Sequence, residues 1–144
     1  MLSPNTGQPM RLVEGGTHAY TLRGEQFQVG GPAWECADTG ERFTTNEQDH
    51  DLLERLHQAW RARHGLGRDT LRQRRESLGL SIADAATLLG FSARQYRAYE
   101  QTDQLPAKPH ALLLKLLLDE AGLAALVRLA GPALSAEARS KLPG

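Results

Sequence analysis

The chain has 144 residues and a single cysteine, Cys36. No disulfide can form within it, which excludes a small disulfide-stapled fold and suits a reducing compartment. There is no basic N-terminal segment leading into an apolar run, so no signal peptide is expected. The most apolar stretch, residues 111–118, falls far short of the roughly 20 residues that span a bilayer. These absences together lead to the expectation of a cytoplasmic protein without membrane contact. Net charge is missing too, since 17 Lys and Arg balance 17 Asp and Glu. Global charge therefore makes no case for nucleic acid. No Ser/His/Asp, Cys/His or P-loop arrangement stands out. Asp49, His50 and Asp51 are neighbours on a helix and point in different directions, so they read as a solvated first turn. No enzymatic activity is expected. There is no internal repeat and no low-complexity tract.

The charge that is present is unevenly spread. Residues 1–58 hold four Arg and nine acidic residues; residues 59–144 hold thirteen basic and eight acidic ones. An acidic half joined to a basic half suggests two jobs, although a chance variation of surface would look the same.

The first 45 residues are rich in glycine and turn formers. Short alternating runs at 10–14, 18–22 and 26–29 predict a small, irregular antiparallel sheet, with Arg23-Gly24-Glu25 as a hairpin turn. A long helix follows. Thr45 and Gln48 have capping-box spacing. Glu47, Asp49 and Asp51 open the helix and Arg61, Arg63 and His64 close it, an order that complements the helix dipole. Leu52, Leu53, Leu56, Ala59 and Trp60 make one apolar face. Gly65-Leu66-Gly67 reads as a linker.

From Arg68 onward the pattern is helical. The spacing predicts helices at 71–78, 82–89, 93–101, 111–120 and about 123–130, with a loop at 102–109 and a loosely held tail. Ser81 and Ser92 are placed as N-caps of the second and third of these helices, and Gly79 and Gly90 as their separators. Helix, glycine-centred turn, helix is the layout that sends a second helix into the major groove. Leu80, Ala85, Ala86, Leu89, Phe91, Tyr96 and Tyr99 supply the apolar contacts between the two. The capped N-termini at Ser81 and Ser92 suit phosphates. With Tyr96 and Tyr99 inward, positions 93, 94, 95, 97 and 98 are left toward a groove. Arg72, Arg74 and Arg75 add positive charge or form a solvated face. Leu116, Leu123, Leu126 and Val127 are candidates for a dimer interface or for the core.

Residues 71–120, with LSIADAATLLGFSARQYRAYE at their centre, resemble the phage-repressor-like (XRE) helix-turn-helix domains. The resemblance implies base contacts at Ala93, Arg94 and Ala98, of which only Arg94 can hydrogen-bond, with Gln95 and Arg97 as phosphate or flanking contacts. Two positions depart from the family pattern. Ile82 stands where a phosphate-contacting Gln is common, and Gln101-Thr102 where an Arg-Gly or Asn-Gly pair often closes the helix.

The stretches SPNTG at 3–7 and CADTG at 36–40 resemble the paired C-x-x-C-G knuckles of a zinc ribbon, with hydroxyls at three of four ligand positions. Ribbon, linker helix and XRE domain together resemble the MqsA (YgiT-type) antitoxins over about residues 1–130. What that resemblance implies is a type II antitoxin that binds a cognate toxin through its N-terminal module and represses its own operon by binding operator DNA as a homodimer. A stand-alone XRE-family regulator and a protein-binding adaptor without DNA binding are the alternatives. One thiol with Ser3, Thr6 and Thr39 is no zinc set, and His18, His50 and His57 do not complete one. No metal and no cofactor are therefore expected. Polar turns and an apolar patch of Phe27, Val29, Trp34 and Phe43 are expected to stand in for the metal. The organisation expected is an α+β chain. A β-rich degenerate zinc-ribbon module with its long helix spans 1–64, a five-helix domain spans 68–131, and a tail spans 132–144.

Overall fold

A computed structural model describes residues 2–142. Met1, Pro143 and Gly144, which the expected N-terminal module and tail include, lie outside the described residues. The fold is α+β, with five strands preceding the helices. The chain forms two compact units, Met1–Trp60 and Arg61–Gly144.

The strands of the first unit are β1 (Met10–Val13), β2 (Thr17–Leu22), β3 (Glu25–Gly30), β4 (Ala33–Cys36) and β5 (Arg42–Phe43). They form two antiparallel sheets, one of order β1-β4-β5 and one hairpin, β2-β3. The hairpin turn is Arg23-Gly24 alone, because Glu25 already pairs with Leu22. Both turn residues have positive φ, 52° and 80°, as the twist of a two-residue hairpin turn requires. Phe27 and Val29 alternate with exposed neighbours and are buried, while Trp34 and Phe43 are half-buried and face each other across β4 and β5. Glu35 lies between Arg11 and Arg42, at 2.7 and 3.4 Å. The Arg11 guanidinium, with Arg42 in support, holds the Glu35 carboxyl below its ordinary value.

Helix α1 (Asn46–Arg63) begins with the expected capping box. Thr45 N–H donates to Gln48 Oε1 at 2.9 Å, and Gln48 N–H to Thr45 Oγ1 at 3.2 Å. Leu52, Leu56 and Trp60 are buried and Ala59 is half-buried. Leu53 departs from the expected apolar face and is 50% exposed. One residue on from Leu52 turns it about 100° around the helix, past the edge of the stripe.

The second unit contains α2 (Arg68–Ser77), α3 (Ile82–Leu89), α4 (Ala93–Gln101), α5 (Lys108–Leu118) and α6 (Glu120–Ala130). A short 3-10 turn, Gly131–Ala133, and α7 (Ala136–Ser140) follow. Its core is Leu71, Ala85, Leu88, Tyr96, Leu114, Leu117 and Leu123, each at most 1% exposed. A leucine so enclosed contributes roughly 1.5–3 kcal/mol of burial. Leu123 settles on the core side of its two readings, and Leu126 is also buried, whereas Leu116 is 38% exposed.

Three local expectations change here. Gly65-Leu66-Gly67 is a packed turn, with Leu66 fully buried and its N–H bonded to Arg61 O at 2.7 Å. The long apolar run after Pro109 is cut at Asp119, whose carboxylate accepts from Gly122 N–H at 2.8 Å and starts α6 earlier than expected. Gly122 sits so close to Leu116 that an added Cβ would lie 2.6 Å from its carbonyl oxygen. The tail is packed, not loose: Ser135 caps α7, and Leu134 and Ala138 are buried at 6% and 2% exposure.

Candidate nucleic-acid interface and paired knuckles

Helices α3 and α4 form the predicted helix-turn-helix with the predicted bounds. Ser81 Oγ accepts from Asp84 N–H at 3.1 Å and Ser92 Oγ from Gln95 N–H at 3.0 Å. Each cap satisfies the third N–H of its helix. The earlier ones, at Ile82 and Ala83 and at Ala93 and Arg94, belong to the set an α-helix leaves without internal partners. Gly90 closes α3 at φ 77°, in the left-handed region that glycine enters without steric cost. Ala85 and Ala86 are buried where α3 and α4 approach.

The two faces of α4 differ sharply. Tyr96, Tyr99 and Glu100 are buried, whereas Ser92, Ala93, Arg94 and Arg97 are exposed and Gln95 and Ala98 half-buried. The Gln95 amide Nε2 is enclosed and lacks a hydrogen-bond partner among the described residues. Ser81 is exposed at the head of α3. Of the candidate residues, Ser92, Ala93, Arg94 and Arg97 thus lie on the exposed side of α4, Ser81 at the head of α3, and Gln95 and Ala98 at half-buried positions.

Behind α4, Arg75 holds both Glu100 oxygens along one guanidinium edge, Nη2 at 2.6 Å and Nε at 2.9 Å, while Nη1 donates to Leu80 O at 3.0 Å. Burial works to raise the Glu100 carboxyl, but the hydrogen bonds and charge of Arg75 outweigh it, and the value lies below the ordinary one. Burial also pushes the Tyr96 phenol well above its usual range. Arg74 donates to Leu117 O at 2.9 Å and pairs with Glu120 at 2.9 Å. Arg72 pairs with Asp69 at 3.0 Å on the surface. Two of the three arginines offered as either positive charge or solvated face are therefore bracing. The one sequence signal for this was a glutamate, Glu100, immediately after a core tyrosine. Tyr99 Oη lies 2.7 Å from His110 Nδ1, and Phe91 stacks on that imidazole at 4.1 Å.

The first unit carries a second, internally repeated feature. Ser3 N–H bonds Gln8 O at 2.7 Å, and Cys36 N–H bonds Glu41 O at 2.9 Å. Gly7 N–H returns to Ser3 O at 2.9 Å, and Gly40 N–H to Cys36 O at 2.8 Å. The two glycines have φ of 71° and 72°. Thr6 Oγ1 accepts from Gln8 N–H, and Thr39 Oγ1 from Glu41 N–H, each at 3.3 Å. The loops are thus the same knuckle built twice. They meet where Thr6 Oγ1 lies 3.5 Å from Cys36 Sγ. Cys36 has no exposed surface and Ser3 is 3% exposed. The Thr6 hydroxyl, then the Thr39 hydroxyl and the N–H groups of Thr39 and Asp38, pull the Cys36 thiol down to about 6. This donor set does not fit structural zinc, which takes four thiolates or imidazoles. Among the described residues no group of three or more His, Cys, Asp or Glu is gathered to hold a metal ion.

Residues 66–131 match a family model described as a helix-turn-helix domain. The match runs from the turn before α2 to the end of α6 and includes the helix-turn-helix of α3 and α4. A search of curated proteins finds no match to the chain. Among the described residues no helix is long and apolar enough to cross a membrane.

Proposed function

We propose that the chain is an operator-binding antitoxin: the second unit reads DNA as a homodimer and represses its own operon, and the first unit receives a cognate toxin protein. The observation that carries the DNA part is the division of α4, with Tyr96 and Tyr99 locked inward and Ser92, Ala93, Arg94 and Arg97 outward. Arg94 is the base reader in this proposal, because a guanidinium fork matches O6 and N7 of guanine. Ala98 is small enough to meet a thymine methyl. Ser81 and Ser92 present helix N-termini to phosphates, and Arg97 and Gln95 flank them. The paired knuckles support the toxin-binding part, since the same turn is kept twice with hydroxyls in place of metal ligands. The excess of acidic residues over 1–58 suits a basic partner.

Arg94→Ala tests the reader. Specific-site affinity should fall about tenfold or more, the size of one bidentate base contact of roughly 1–3 kcal/mol, with little change on random duplex. Unchanged affinity for both would remove Arg94 from that role. A pull-down of the first gene product beside this one, with and without residues 1–60, tests the toxin.

A further inference from the structure

The far end of α4 is closed in an unusual way. A helix leaves its last four carbonyls without internal partners, and a left-handed glycine just past the end commonly lets the following N–H groups fill them. Here the closing residue is Thr102, extended at φ −128° and ψ 170°. Its N–H and hydroxyl both go to Ala98 O, at 2.9 and 2.6 Å. The carbonyls beyond are taken by arginines from outside the helix-turn-helix. Arg61, only 1% exposed, donates to Tyr99 O, to Thr102 O at 2.7 Å and to Gln104 O at 3.4 Å. The same guanidinium donates to Leu66 O at 2.9 Å, which ties the packed turn before α2 to the end of α4. Arg68 donates to Gln101 O at 3.0 Å and pairs with Asp103 at 3.2 Å. A cation also suits the negative end of the helix dipole. A planar fork of five N–H donors can reach several carbonyls at once, which an ammonium cannot match in direction.

We infer that Arg61 and Arg68 are positioning residues for DNA recognition: they replace the missing glycine cap and fix the end of α4, so that its exposed side chains meet the bases in one orientation. Of the two, Arg61 lies outside the matched segment, 66–131, and Arg68 within it. The inference rests on the proposed DNA reading. A helix free to rock about its far end keeps its charge and its phosphate attraction, but loses the register that base contacts need. Specificity should therefore suffer more than overall affinity.

The test uses the full chain and two duplexes, one selected by the unaltered chain from a random-sequence library and one of scrambled sequence. Arg61→Lys keeps the charge and removes the fork. Its preference for the selected duplex should fall about tenfold, while scrambled-duplex affinity stays within about twofold. Amide exchange in the last turn of α4 should speed up. Thr102→Gly added to Arg61→Lys supplies the glycine cap and should restore part of the preference. Arg68→Met, at a half-exposed site that folding tolerates, should lower the preference about threefold and decides the matter should Arg61→Lys fail to fold. An unchanged preference in the folded variants, or equal losses on both duplexes, overturns the inference alone. Failure of the unaltered chain to select any duplex overturns the DNA reading and this inference with it.

Discussion

Each compact unit encloses a polar centre, and the two are held by different chemistry. In the first unit a buried thiol is ringed by hydroxyls and main-chain N–H groups from two copies of one loop. In the second a buried carboxylate is gripped by a guanidinium, between α2 and α4. The hydroxyl ring spreads its hold over several short local bonds, most of them within a single loop. The ion pair concentrates its hold in two groups distant in sequence. One teaches how a pair of repeated turns stands on hydroxyl and main-chain bonds, and the other how α4 is held at one angle to α2.

The sharpest way to break the comparison is to reverse the first centre. Ser3→Cys, Thr6→Cys and Thr39→Cys together should convert the knuckles into a four-thiolate zinc site, worth on the order of 10 kcal/mol of apparent binding. Cobalt absorption and one zinc per chain by metal analysis would show it. Failure to retain metal would mean that the four positions do not converge. Next in size is Glu100→Ala, which strands Arg75 and should cost about 3 kcal/mol in denaturant unfolding. A loss under about 1 kcal/mol would show the pair to be dispensable. Ser81→Ala and Ser92→Ala should each cost about 1 kcal/mol through the lost cap, measured the same way.

A further contrast separates the centres by pH. The Cys36 thiol sits at about 6 in the fold against an ordinary 9.0, so the unfolded chain binds the extra proton between those values. Its contribution is full above pH 9, and is lost as pH falls toward 6. Stability of the first unit should thus rise across that window, and Cys36→Ser should flatten the rise. Glu100 is held below its ordinary 4.5, so its contribution is present above that value and lost only as pH falls beneath it. A first unit insensitive between pH 6 and 9 would contradict the hydroxyl-ringed thiol.

The helix-turn-helix was legible because its signals are local. Ser81, Gly90 and Ser92 mark boundaries within one turn, and the structure keeps all three. The capping box at Thr45 was readable for the same reason. Strand β4 was not, since Ala33 and Cys36 are buried with Trp34 and Glu35 half-buried between them, which leaves no alternation to read. Asp119 was hidden because it falls inside the span read as the helix 111–120, so the break between the last two helices was placed too late. The tail has few apolar residues, and the burial of Leu134 and Ala138 shows only once the chain is folded. The exposed side of α4 followed from placing the two tyrosines inward. Its braces did not, because Arg61, Arg74 and Arg75 look like any surface arginine until their distant partners are known.

The outward side of α4 is the surface proposed to read DNA. A gel-shift titration of the purified chain on the DNA upstream of its gene, at two salt concentrations with random DNA as competitor, tests it most directly. Specific binding that weakens steeply as salt rises is expected, because phosphate contacts release counterions. Binding that random DNA competes away equally, or no binding at either salt, would contradict it.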